Sequence, residues 1–307
     1  MSIARAALLR ASRNPFLAEQ FRKRAFARRA VRRFMPGEDM SAALDAASQF
    51  GAAGIGSVVT SLGEQVRTRE EAEAVREHYL ALLGAVHARG LPTQISVKLT
   101  HLGLDVDVET CFESLRALAT RAAASGSMVW LDMEEATYVD ATLDLYRRLT
   151  NEQLRVGLCL QAYLRRTPAD LESLLPSSPV IRLVKGAYQE SADVAFPAKK
   201  DTDAAFLQLA KRLLDYAPAG ALPVMGTHDL RLIGKIREYA NALALPSGAY
   251  EVHMLYGIRS AAQRELAGSG TSVRVLISYG VNWFPWYMRR IAERPANMWF
   301  VVRNLVP

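Results

Sequence analysis

Three groups of side chains in this sequence could do chemistry. The densest lies near the C-terminus, where Trp283, Phe284, Pro285, Trp286, Tyr287 and Met288 run into Arg289, Arg290 and then Glu293. Pro285 suits the first turn of a helix, which would put Arg289 and Glu293 on one face as an i, i+4 pair. Two adjacent guanidiniums offer planar forks that match a carboxylate or a phosphate. The flanking aromatics would keep water away from such a clamp. A surface salt bridge worth only about 0.3 kcal/mol would use the same residues, so the cluster alone leaves both readings open. The second group is Arg182, Lys185, Gly186 and Tyr188, at the end of the apolar run that begins at Val180. Two cations there need partners, because an unpaired buried charge is costly. An internal acid such as Asp132 or Glu134 would serve, and so would an anionic cofactor, for which Gly186 would allow a close backbone approach. Lys98 and Asp132, each ending another apolar run, pose the same choice.

These residues need a scaffold that brings them together. From about residue 53 the chain alternates short apolar runs with helical stretches. The runs are Gly54–Leu62, Thr93–Thr100, Met128–Glu134, Val156–Tyr163, Val180–Ala187, Leu222–His228, Tyr250–Tyr256 and Arg274–Tyr279. Between them lie Arg69–His87, Val108–Ala124, Tyr138–Leu149, Ala204–Tyr216, Leu230–Ala244 and Ser260–Leu266. Strand-helix alternation predicts an α/β fold with a parallel sheet. Eight units over this length favour a closed (βα)8 barrel over an open doubly wound sheet. Lys98, Asp132, Gln161, Arg182, Lys185, Thr227 and His228 all fall at or near strand C-termini, the face on which barrel enzymes build their sites. Residues 1–52 form a helical arm ahead of a barrel over 53–307. Within the arm, Ser41 with Asp45 suggests a capped helix over Ala42–Phe50. Gly51, Gly54 and Gly56 follow a helix and enter a strand, the wrong order for a dinucleotide-binding loop.

Charge narrows the function classes. The formal net charge is +7, but residues 1–33 hold ten Lys/Arg and one acid, leaving 28 bases and 30 acids in the rest. A nearly neutral body argues against a nucleic-acid-binding face. Two cysteines, Cys111 and Cys159, make a disulfide framework unexpected and a reducing compartment the simpler reading. No HExxH, CxxC or GxSxG pattern occurs, and the five histidines lack metal-ligand spacing, so no metal is expected. No apolar run is long enough to span a bilayer.

Seven motifs then occur in order: ISVKLTHLGLD at 95–105, LDMEE at 131–135, LQAYL at 160–164, RLVKGAY at 182–188, THD at 227–229, MLYGI at 254–258 and YGVNWFPWYMRRIAERPAN at 279–297. Together they closely resemble the proline dehydrogenase family in its short monofunctional bacterial form, from about Phe34 to Leu305. The resemblance implies a distorted (βα)8 barrel with non-covalent FAD at the strand C-termini. It implies oxidation of L-proline to Δ1-pyrroline-5-carboxylate, the first step of proline catabolism to glutamate, with a hydride passing to flavin N5 and electrons on to a membrane quinone. Arg289 and Arg290 match the pair that grips the proline carboxylate, and Lys98 a lysine that also contacts it. Glu293 and Asp132 would balance these cations, Tyr188 would lie near the substrate and Leu183 would form apolar wall. Arg182 matches an arginine near flavin N5, making Asp132 and Arg182 the candidate catalytic pair. Met133, Gln161, Lys185, Gly186, Ala187, Thr227 and His228 match flavin contacts. Glu64 matches a glutamate that pairs with the first clamp arginine, Arg289, as a gate over the pocket.

Two positions depart from the family pattern: Leu276 and Trp286 stand where tyrosines are common. The wall stays apolar and loses hydroxyls, so proline is the expected substrate and hydroxyproline a candidate. A separate pyrroline-5-carboxylate dehydrogenase is the implied partner. The basic arm would suit anionic lipid headgroups where the quinone resides, giving a cytoplasmic protein peripherally associated with the inner membrane. Its Arg-rich, acid-poor character also fits a mitochondrial presequence, which ranks below a retained arm. The competing readings are a basic binding module on an idle barrel, and a phosphate-binding aldolase or isomerase using Lys98 or Lys185.

Overall fold

The computed structural model describes Glu19 and residues 29–292, with only the backbone given for 289–292. Eight parallel strands close into a barrel in sequence order. They are β1 (Gly56–Ser61), β2 (Thr93–Lys98), β3 (Val129–Asp132), β4 (Gly157–Gln161), β5 (Val180–Val184), β6 (Leu222–Gly226), β7 (Glu251–Leu255) and β8 (Ser272–Tyr279). Each falls within or largely overlaps an expected apolar run, as a parallel barrel requires, since its strands are covered on both faces. Closure is made by β8 on β1, where Gly56 through Ser61 pair with Arg274 through Tyr279.

The helical layer comprises α1 (Met40–Ala52), α2 (Arg69–Ala88), α3 (Val108–Ala124), α4 (Val139–Asn151), α5 (Thr167–Leu174), α6 (Lys199–Asp215), α7 (Leu230–Ala242), α8 (Ser260–Gly268) and α9 (Trp283–Ala292). The eight-residue α5 has no counterpart in the sequence reading. It is too short for a clear periodicity, and Pro168 at its start is its one local signal. The cap of α1 is also different from the expected one. Asp39, not Ser41, is the N-cap, and its carboxylate accepts from Ala42 N at 2.8 Å.

Two helices depart from simple alternation. Although α1 precedes the first strand, it packs against β1 and β8, and Ala43, Leu44, Ala46 and Ala47 join the main core. The boundary at residue 52 therefore follows a helix that is already part of the barrel. In turn α9, which follows β8, joins a separate apolar cluster with Val31, Met35 and Leu62. The Trp283 indole donates to Glu38 at 2.8 Å, tying residues preceding α1 to the start of α9.

Candidate active site

Strand alternation turns Arg182 of β5 into the barrel lumen, beside Cys159 of β4 in register. Arg182 is 3% exposed. Its Nη2 donates to Ser96 Oγ at 2.9 Å and to the carboxylate of Asp132, and Ser96 Oγ donates to the same carboxylate at 2.8 Å. Lys98 and Asp132, which pair in register, end β2 and β3 at one level of the barrel. Gln161 ends β4 and donates from Nε2 to the Met133 carbonyl at 3.3 Å. Two buried polar atoms of these side chains have no hydrogen-bond partner among the described residues: Arg182 Nη1, a donor, and Gln161 Oε1, an acceptor.

The other cations have defined partners. Lys98 Nζ lies 3.0 Å from Glu64 Oε1. Lys185 turns to the outer layer, where it meets Asp203 of α6 at 2.5 Å and Asp229 at 3.2 Å. An internal ion pair thus holds Arg182 on Asp132, while Lys185 finds acids the sequence reading did not name. Thr227 Oγ accepts from Asp229 N at 3.2 Å, and His228 Nε2 accepts from Leu255 N at 2.8 Å, which leaves the His228 proton on Nδ1. Gly186 has φ +108°, and a Cβ there would overlap the Tyr163 ring. Its glycine is required by the backbone and by that ring. Ala187 and Tyr188 follow it, half-buried.

Leu183 lies on the opposite face of β5 from Arg182, fully buried, in register with Leu160 and Met225. The structure places it in the sheet-helix layer and does not bring it to the lumen wall. Leu276 packs against the lumen cluster of Val58, Trp130 and Val224. Trp286 is buried in the α9 cluster. Arg289 and Arg290 fall on the last turns of α9, but their side chains, and with them the Glu64–Arg289 gate, lie outside the described residues, as does Glu293.

One residue gained weight from the structure. Glu134 is 2% exposed and accepts from Thr100 N at 3.0 Å and Thr100 Oγ at 2.6 Å. Burial pushes its carboxyl up to about 7, against the opposing pull of the Thr100 hydrogen bonds and Lys98. Thr100 Oγ also accepts from Gln65 N at 3.3 Å, so Glu134 anchors the loop that carries Glu64. The sequence named it beside Asp132 as an internal acid for the strand-end cations, but the structure pairs it with Thr100, and its burial is not legible in a two-residue run of like charge.

Residues 43–303 match the family model described as proline dehydrogenase. The chain belongs to the proline dehydrogenase family. Among curated relatives, proline dehydrogenase 1 of Bacillus subtilis strain 168 is 36% identical over 287 residues, 94% of each chain. Proline dehydrogenase of Deinococcus radiodurans is 36% identical over 279 residues, 89% of each chain. The proline dehydrogenase barrel also resembles the crystal structure of proline utilization A from Bdellovibrio bacteriovorus inactivated by N-propargylglycine, with a TM-score of 0.82 at 22% identity. That match covers 94% of this chain and 38% of the longer protein, and it bears on the fold alone. In family terms, the lumen mouth ringed by Lys98, Asp132, Gln161 and Arg182 is the candidate active site.

Proposed function

We propose that this chain oxidises L-proline to Δ1-pyrroline-5-carboxylate with non-covalent FAD. The carrying observation is Arg182, a buried lumen guanidinium whose Nη2 is held by Asp132 and Ser96 and whose Nη1 is buried without a hydrogen-bond partner among the described residues. A flavin ring edge presents both hydrogen-bond acceptors and a donor, which fits the unpartnered Arg182 Nη1 and Gln161 Oε1. The bound flavin would supply the two-electron acceptor that no protein side chain provides.

The chain's own residues bind, orient and shield. Arg182, Gln161, Met133, Lys185, Gly186, Ala187, Thr227 and His228 would hold the flavin. Lys98, Arg289 and Arg290, balanced by Glu293, would hold the proline carboxylate, and Leu276, Trp286 and Tyr188 would line the ring. Asp132 pairs with the Arg182 guanidinium and orients it. Proline gives up hydride more readily with its nitrogen neutral, so turnover rises with pH as the amine loses its proton. Electrons would leave to a membrane quinone through peripheral contact at the cytoplasmic side of the inner membrane. A separate pyrroline-5-carboxylate dehydrogenase would consume the product.

The deciding experiment is anaerobic addition of L-proline to purified protein. A yellow protein whose flavin absorbance bleaches on addition supports the reading. A colourless protein that cannot be reconstituted with FAD overturns it.

A further inference from the structure

Beneath the candidate site the lumen is filled by a column of side chains with no part in the proposed chemistry. Arg182 stands over the face of Trp130, its Cζ 4.7 Å from the ring centroid. Trp130 is fully buried and held from three further directions. Its Nε1 donates to Gln94 Oε1 at 2.6 Å. The His253 ring meets it edge-on, with centroids 5.2 Å apart and planes at 73°. Gly157 of β4 pairs with Trp130 in register, and a Cβ at Gly157 would overlap the indole. Below, His253 Nε2 lies 2.9 Å from Glu251, which also accepts from Arg274 at 2.9 Å. Burial holds the His253 imidazole down to about 4, so it is neutral at pH 7 and adds no second cation under Arg182.

The hydrogen bonds of Arg182 leave one freedom unfixed. Ser96 and Asp132 both take Nη2, and the Cys159 thiol beside it in register makes a further side-chain contact. Two bonds at a single nitrogen anchor one corner of the guanidinium but do not set the tilt of its plane. The indole face supplies the further hold, since Cζ stands over the ring, where the quadrupole attracts the guanidinium. We propose that Trp130 is a positioning residue for the reaction: its indole face fixes the tilt of Arg182 and thereby aims Nη1 at the flavin. This rests on the flavoprotein reading above. Gln94 and Gly157 act one step further back, by fixing the indole.

The test uses the full chain loaded with FAD, with Trp130→Leu, Trp130→Phe and Gln94→Met made alone and in an Arg182→Lys background. The readouts are the midpoint potential of the bound flavin, by dye equilibration, and kcat and KM for L-proline. Trp130→Leu should lower the potential and reduce kcat about thirtyfold, the size of a desolvated cation–π contact, with little change in KM. Trp130→Phe, which keeps an aromatic face, should recover most of both. In the Arg182→Lys background, Trp130→Leu should add little. Should Trp130→Leu fail to fold, Gln94→Met decides, with a smaller shift in the same direction that also vanishes in that background. Equal losses in both backgrounds, or no change in potential, overturn the proposal while leaving the flavoprotein reading intact. A wild-type chain that takes up no flavin overturns both.

Discussion

Glu64 Oε1 stands 3.0 Å from Lys98 Nζ, so an internal carboxylate occupies the ammonium proposed to receive the carboxylate of proline. The pair is largely shielded, at 16% and 25% side-chain exposure. A substrate carboxylate at Lys98 would therefore meet the negative charge of Glu64, whatever else Glu64 meets. Glu64→Gln should tighten binding of a ring carboxylate that lacks an oxidisable amine, such as tetrahydrofuran-2-carboxylate. A gain of about fivefold corresponds to the ~1 kcal/mol typical of a weakly exposed ion pair. Turnover should fall if the same carboxylate also closes the pocket. Titration followed through the flavin spectrum checks the first effect, and unchanged affinity together with unchanged kcat would remove Glu64 from any gating role.

Glu134 gives the fold a pH dependence with a definite sign. Its carboxyl is raised by burial to about 7 in the folded chain and reverts to an ordinary value on unfolding. Between those two values the folded state binds the extra proton, so stability falls as pH rises from about 4.5 to about 7 and is level above. The loss amounts to about 3 kcal/mol at most, with partial hydration reducing it. Glu134→Gln keeps an acceptor for Thr100 and removes the ionisation. The difference in Tm, variant minus wild type, should therefore climb between pH 5 and pH 8. A difference that stays flat across that range would mean Glu134 does not titrate there.

The barrel was legible because parallel strands covered on both faces must be continuous apolar runs, and eight such runs alternate with amphipathic stretches. The polar strand ends were legible for the same reason: Lys98, Asp132 and Gln161 interrupt those runs where the strands stop. What each charge meets was not, because partners come from distant segments. Lys185 pairs with Asp203 and Asp229, 18 and 44 residues on, and nothing local distinguishes them from other surface acids. Leu183 shows the value of strict alternation. Once Arg182 is assigned to the lumen, its neighbour must face the helices, and the period of two decides that without coordinates. Gly186 shows a different limit, since the sequence suggests room for a ligand while the structure puts the Tyr163 ring in part of that space.

Leu276 predicts substrate preference. It lies on the lumen side of β8 and packs on Val58, Trp130 and Val224, so it offers a proline ring an apolar contact and no hydrogen bond. A ring hydroxyl facing Leu276 would lose its water without replacement, at about 1–3 kcal/mol. L-proline should accordingly exceed trans-4-hydroxy-L-proline in kcat/KM by about tenfold or more. Leu276→Ser should narrow that ratio, chiefly by lowering the proline value. Steady-state rates with both substrates check it, and a wild-type preference for hydroxyproline would require a polar partner for the hydroxyl elsewhere in the mouth.

The basic N-terminal segment can be tested for membrane contact only if it is cut in the right place. Val31 and Met35 are buried against Trp283, Phe284, Trp286, Tyr287 and Met288, and Glu38 accepts from the Trp283 indole. These residues therefore brace α9, the helix that carries Arg289 and Arg290. Residues 1–28 hold seven of the Lys/Arg and one acid. Removing residues 1–28 should weaken co-sedimentation with anionic vesicles, and do so less at high salt where the wild-type attraction is itself screened, while leaving the KM for proline unchanged. Removing residues 1–33 should also raise that KM, because the loss of Val31 uncovers one side of α9. Equal vesicle binding by the full chain and by the shorter cut would exclude the segment as an anchor. An unchanged KM after the longer cut would show that α9 holds its place without the brace.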